Sequence, residues 1–399
     1  MRVRRVREKM LSFKFKLIFF VLLLGFFCSC RNNLSNDIEE YTGEIFWTKE
    51  SNTTADALME VQTTHPVIFP DEKLPEADKY DELNDYSIPH YWLDELSFSV
   101  DEAQKLMSQS NGNYTAFMWY TDAHWSYGAK RSVSLLQYLE KKTGIRYTNF
   151  GGDIVSTYNV EADENLRLLK TWREETLKLS NHHSVVGNHD DDIAELKKRE
   201  DLYAFLISPE LNIEINETSF SYFVDDALLK TRYIYLSTGF EEITSADLDF
   251  IIDTLHETPS EWHVVFVSHI WFLYDDATQP TVGDVAKYVE PVFLLIDAYN
   301  NRSNGVMMWE QETVEYDFSD AEAKVAFCIG GHTHVDFCFA TPGGVPVILT
   351  QTDSFHIRTQ EQDIANTNEA SVNIVIADYE KNVIHIVRVG RGESFDVFF

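Results

Sequence analysis

Residues 114–125 read YTAFMWYTDAHW, and how this stretch is read decides the fold. Residues 115–121 form an apolar, aromatic-rich run of strand length, the pattern of a strand buried on both faces, and it stops abruptly at Asp122-Ala123-His124. The same arrangement recurs four times downstream. Expected strands at 147–150, 184–186, 264–268 and 325–329 exit into Gly151-Gly152-Asp153, Gly187-Asn188-His189-Asp190, His269 and Gly331-His332-Thr333-His334. Amphipathic stretches at 130–142, 162–179, 193–206, 245–255 and 285–299 have helical spacing, with Pro291 beginning or interrupting the last. Thr244 to Asp247 has the form of a capping box. Strands alternating with helices predict an α/β fold. Further strands are expected at 220–224, 233–237, 345–350, 372–379 and 383–389, the last two joined as a hairpin. The chain has no internal repeat.

Each strand exit carries a residue type that binds metals. Taken singly these signals are weak, since Asp-x-His arises by chance and Gly-Gly-Asp is an ordinary turn. Together, in one order and all at strand ends, they point to one site, because open α/β sheets gather ligands outside the carboxyl ends of their strands. Imidazole, carboxylate and amide oxygen suit divalent Mn, Fe, Zn or Ni, and no thiolate set points to copper or iron–sulfur centres. An Asp lying between two such ions can bridge them, and ion pairs of this kind clamp the attacking and leaving oxygens of in-line displacement at phosphorus. Glycines beside the ligands permit sharp turns and close approach.

These five motifs resemble the ordered set of the calcineurin-like metallophosphoesterase superfamily: D-x-H, G-D-x-x-D, G-N-H-[DE], a lone H, and G-H-x-H. The resemblance implies a four-layer α/β/β/α sandwich and hydrolysis of a phosphate monoester or phosphodiester by a hydroxide bridging two divalent ions. Carried over position by position, Asp122, His124 and His334 hold the first ion, Asp153 bridges, and Asn188, His269 and His332 hold the second. His189 contacts the phosphate and assists the leaving oxygen, with Asp190 as its orienting partner. One position departs from the pattern, because Ser156 stands where the second acid of G-D-x-x-D is usual. Ser156 and His124 together exclude the purple acid phosphatase branch, which has a tyrosine ligand at the former step and no histidine at the latter.

The chain has 399 residues, of which 44% are hydrophobic, enough to bury a large core and to exclude global disorder. Its 33 basic residues face 65 acidic ones, a formal charge of −32. Seven of the basic residues precede the apolar run 17–27, the n-region and h-region pattern of an export signal. Without residues 1–29 the balance becomes 26 basic against 64 acidic. Bulk nucleic-acid binding is therefore not expected. Phe27-Cys28-Ser29-Cys30 resembles a bacterial lipobox, which implies lipidation of Cys30 and anchoring in a bacterial cell envelope, on the periplasmic or the surface face. Ordinary secretion with cleavage nearby is the alternative. The expected organisation is a signal peptide over 1–29, an acidic tether and lead-in over 30–110, including a short helix at 99–108, and a catalytic domain over 111–399. Cys328 and Cys338 leave a disulfide and two free thiols equally open.

His182, His183, His256, His263, His356 and His385 match no motif and read as structural or solvated. Trp125, Tyr127, Trp271 and Tyr274 flank the motifs and fit either packing or the lining of a cleft. The stretch 270–320 is too long for a simple crossover and is expected to supply specificity loops. The expected partner is a small phosphorylated substrate. Two rival readings stand beside it: a non-catalytic envelope lipoprotein using the fold to bind a ligand or glycan, and a lactamase-like metal hydrolase, whose H-x-H-x-D-H motif is absent.

Overall fold

The computed structural model describes residues 86–125, 129–155, 162–191, 221–236, 243–271, 282–353 and 365–399. The expected signal peptide with Cys30, the tether up to residue 85, the helix at 193–206, and Tyr127, Ser156, Tyr274 and His356 lie outside them.

Two six-stranded sheets face each other. In the first, β1 (Tyr114–Tyr120), β2 (Thr148–Phe150) and β3 (His182–Ser184) are parallel, and β12 (Ser371–Asp378), β13 (Val383–Gly390) and β14 (Phe395–Phe398) extend it as an antiparallel meander, giving the order β14-β13-β12-β1-β2-β3. In the second, β5 (Thr231–Leu236), β6 (His263–Ser268), β9 (Lys324–Gly330) and β11 (Pro346–Leu349) are parallel. They are edged by the antiparallel β4 (Tyr222–Asp226) and β10 (Phe337–Ala340).

Side-chain alternation in the second sheet explains the layering. Tyr233, Tyr235, Val265, Val267, Phe327 and Ile329 point into the core between the sheets, while Ile234, Leu236, Val264, Phe266 and Cys328 point the other way into a second core. That outer core is closed by α4 (Ser245–His256) and α5 (Val282–Asn300). Helices α1 (Leu93–Gln109), α2 (Ala129–Thr143) and α3 (Ala162–Thr176) contribute buried side chains to the first core. Both faces of both sheets are thus buried, which is the expected four-layer sandwich. Polar pairs stitch the sheets together: Thr115 and Thr231 hydroxyls lie 2.5 Å apart, and Tyr235 donates to Asn149 Oδ1 at 2.7 Å. Among the described residues no helix is long and apolar enough to cross a membrane.

Three details differ from the sequence reading. The lead-in helix is longer than residues 99–108 and belongs to the core rather than to a tether: Ile88, Trp92, Leu96 and Ala103 are fully buried in the same cluster as β1. A buried ion pair fixes it, since Glu369 Oε1 accepts from Arg131 Nε at 3.0 Å, Trp92 Nε1 at 3.1 Å and Tyr91 Oη at 2.9 Å. The third strand begins at His182, because His182 and His183 are buried among Tyr120, Trp172, Tyr147 and Tyr235 rings rather than in a loop. Within 270–320, a hairpin of β7 (Asn304–Trp309) and β8 (Glu312–Asp317) packs Met307, Trp309, Val314 and Tyr316 onto the outer core, so this part braces helices instead of forming a rim loop. Its turn, Glu310-Gln311, has positive φ at both residues, the backbone of a two-residue hairpin turn without the Asn-Gly signal that betrays one. Of the two options left open for Cys328 and Cys338, the structure has free thiols.

Candidate metal centre

The parallel strands of both sheets end on one edge, and the five motif segments meet there. Backbone bonds zip them together: Asp122 N–H donates to Gly152 O at 2.9 Å, His124 N–H to Asp153 O at 3.0 Å, and Gly331 N–H to His269 O at 3.2 Å. Asp122, His124, Asp153, His332 and His334 all have φ between 44° and 69°. Left-handed backbone costs a non-glycine residue about 1 kcal/mol or more, and its concentration at five of seven candidate ligands marks strain held for function. Gly187 is required by close approach, because a Cβ there would overlap Asp153 Oδ1 and the Asp153 backbone nitrogen.

The side chains form two groups with one shared member. Ligand atoms of Asp122, His124, Asp153 and His334 lie within 4.8 Å of one another, as do those of Asp153, His269 and His332. Asn188 joins the second group, its Oδ1 being 3.1 Å from His269 Nε2 and 3.0 Å from His332 Nδ1. The structure therefore brings together all seven expected ligands, with Asp153 between the two sets. His189 sits beside them, its N–H donating to Asp153 Oδ1 at 2.9 Å and its Nε2 lying 3.9 Å from Asp153 Oδ2.

Carbonyl partners that the sequence did not reveal orient two of the rings. His124 Nδ1 donates to Val155 O at 3.2 Å and His269 Nδ1 to Gly151 O at 2.7 Å; a carbonyl can only accept, so each Nε2 is turned toward the cluster. Burial penalises the charge of Asp122, yet His334 beside it holds its carboxyl down at about 2. Asp153 is likewise held well below the carboxylate range against burial, chiefly by His269. Burial pushes His124 well down and His332 down to about 3, keeping both neutral. For His269 burial is outweighed by Asp153, which raises it to about 9.

This donor set fits divalent cations. Asp122 and Asp153, at 1% exposure or less, have histidines and no Lys or Arg as their ion-pair partners among the described residues. Buried carboxylates gathered with imidazole nitrogens in this way are a donor set that suits a divalent cation. His124 Nε2 and His334 Nε2 point at each other across 3.2 Å, and His332 Nε2 is buried with no hydrogen-bond partner.

Asp190 departs from its expected role. Its oxygens accept the backbone N–H groups of Asp153 at 3.0 Å, Ile154 at 2.8 Å, Val155 at 3.2 Å and Gly187 at 3.0 Å. The carboxylate thus ties the second motif to the third rather than orienting the His189 ring. Two residues that no motif singled out touch Asp122: Thr121 Oγ1 donates to its Oδ2 at 2.6 Å and Thr352 Oγ1 to its backbone O at 2.7 Å. Trp125 and Trp271 are fully buried, so they pack rather than line an open cleft. Of the unassigned histidines that are described, His182 bonds Tyr120 Oη, His263 stacks on Tyr379 and His385 pairs with Asp396, all away from the ligand groups.

A family profile described as calcineurin-like phosphoesterase matches residues 116–336. Among solved structures, a dimetal phosphatase from Danio rerio aligns at 14% identity over 71% of this chain and 98% of that one, with a TM-score of 0.47. A phosphatase from Mycoplasma pneumoniae aligns at 14% identity over 71% and 94%, with a TM-score of 0.31. No curated protein sequence matches the chain.

Proposed function

The chain belongs to the calcineurin-like phosphoesterase family and is a metal-dependent phosphoric ester hydrolase, and on that premise we propose that it hydrolyses a small phosphate monoester or phosphodiester at a two-ion centre. Asp122, His124 and His334 would hold one ion, Asn188, His269 and His332 the other, and Asp153 both. The observation that carries this reading is Asp153, the one residue common to the two ligand groups. Bound there, a pair of Mn, Fe, Zn or Ni ions supplies charge neutralisation for the phosphate and a water whose pKa is lowered toward neutrality.

The chain's own groups do the rest. Strand exits from two sheets hold the ligands rigid, so the arrangement costs no reorganisation during reaction. His189 is largely buried, outside both ligand groups and beside Asp153, a position from which its Nε2 can give a proton to the departing oxygen. Asp190 fixes the turn that carries Asp153. Convergence of seven ligands and His189 argues against a fold retained only for binding a ligand or glycan. The lipobox-like segment ending in Cys30 supports a membrane-anchored, exported enzyme, and a Cys30→Ala variant recovered in the membrane fraction would argue against that anchor.

Assay of p-nitrophenyl phosphate and bis-p-nitrophenyl phosphate with Mn²⁺ or Zn²⁺ tests the reading and separates monoester from diester preference. Turnover that His189→Ala lowers about 10²- to 10⁴-fold is expected; no turnover of either ester with either metal, or full activity in His189→Ala, would count against it.

A further inference from the structure

We propose that the hydroxyls of Thr121 and Thr352 are positioning groups for Asp122 and set the affinity of the first cation site alone. The inference rests on the two-ion reading and goes beyond it, because neither residue belongs to a motif and Thr352 lies outside the family-matched residues 116–336. Asp122 has φ of 53°, a conformation that must be pinned from outside. Both peptide groups are pinned: its N–H donates to Gly152 O at 2.9 Å, and its carbonyl accepts Thr352 Oγ1 at 2.7 Å.

Its side chain is held as well. Oδ2 accepts Thr121 Oγ1 at 2.6 Å, and the His332 N–H is shared between Oδ2 at 3.0 Å and Oδ1 at 3.2 Å, while Oδ1 also faces His334 Nε2 at 3.0 Å within the first ligand group. The Thr121 hydroxyl thus holds Oδ2 and leaves Oδ1 turned toward the first ligand group. No water can replace the Thr121 hydroxyl, since Thr121 is fully buried and the Gly331 backbone packs so closely that a Cβ there would overlap both Thr121 Oγ1 and Asp122 Oδ2. Thr352 reaches the site from the segment after β11, which is parallel to the strand leading to His332 and His334, and Asp353 N–H fastens that segment to Thr121 O at 2.9 Å. Partners of this kind typically govern metal affinity 10- to 100-fold. A valine methyl in place of Thr121 Oγ1 would also drive the carboxylate back by about 0.7 Å to reach an ordinary carbon–oxygen contact of roughly 3.3 Å.

The test is calorimetric titration of the full chain, stripped of ions, with Mn²⁺ alone, alongside the thermal midpoint of each ion-free variant. Wild type should take up two ions. Thr121→Val should lose about 10- to 100-fold in affinity at one site with the other within about threefold, and Thr121→Ser should restore it. Thr352→Val, which removes the hydroxyl bonded to the Asp122 backbone carbonyl, should weaken the same site with a near-normal midpoint. Unchanged affinities in both valine variants, an equal loss at both sites, or a serine variant as weak as the valine would overturn the proposal while leaving the two-ion reading intact. A wild-type chain that binds no Mn²⁺ would overturn both.

Discussion

The carboxylate of Asp190 accepts the backbone N–H of Asp153 at 3.0 Å, joining two motifs 37 residues apart in the chain. Because the same carboxylate takes three further N–H groups, Asp153, common to the two ligand groups, is placed by a side chain that belongs to neither group. Asp190→Asn would present an amide NH₂ to donors and leave about two of them unsatisfied. The expected outcome is a loss of about 2–4 kcal/mol in denaturant unfolding together with weakened metal uptake; unaltered stability would show that the four bonds do not hold the turn.

Glycine at 187 is a steric requirement. Alanine there collides with Asp153, and the colliding atoms are the carboxylate and a backbone nitrogen, neither of which can swing away. Gly187→Ala is expected to abolish metal uptake measured by elemental analysis, even where the variant still folds. Retention of both ions would contradict the packing.

Arg131 and Glu369 form an ion pair with 1% and 0% side-chain exposure, and Glu369 also holds Tyr91 and Trp92 at the start of the lead-in helix. Glu369→Gln leaves a buried guanidinium without its counter-charge. Chemical denaturation should show a loss of about 3–5 kcal/mol. A loss under 1 kcal/mol would mean the pair is not buried in solution.

Burial among aromatic rings pushes His183 down to about 4. Its folded pKa is below the unfolded value near 6.5, so the unfolded chain binds the extra proton first. The stability it contributes is complete above about pH 6.5 and declines as pH falls toward 4, by at most about 1.4 kcal/mol per unit. Against His183→Phe, wild type should therefore lose stability between pH 6.5 and 4.5 but not between 8 and 7. A parallel pH dependence of the two proteins would refute the assignment.

The layers and the candidate ligands are legible in the sequence for one physical reason: strands buried on both faces are apolar, so a polar residue at their ends stands out. Asp122, Asp153 and His269 could be found that way without any knowledge of contacts. What could not be read is whatever depends on neighbours distant in sequence. Glu369 capturing Arg131 and Trp92 across more than two hundred residues leaves no local pattern, and neither do the carbonyls of Gly151 and Val155 that set imidazole orientation. The four backbone partners of Asp190 leave no trace in the sequence either, because adjacency to His189 says nothing of which way a side chain turns. The β7–β8 hairpin carries no turn signal, because Glu-Gln is an improbable turn, tolerated where Glu310 also accepts Ser245 N–H at 3.1 Å.

The sharpest test of the account is metal stoichiometry by elemental analysis of active protein, with Asp153→Asn measured in parallel for bound ions and for turnover of both p-nitrophenyl esters. Two ions per wild-type chain, with loss of ions and of activity together in the variant, is the expected result. Active wild-type protein free of divalent metal, or an Asp153→Asn chain that keeps full turnover, would contradict it.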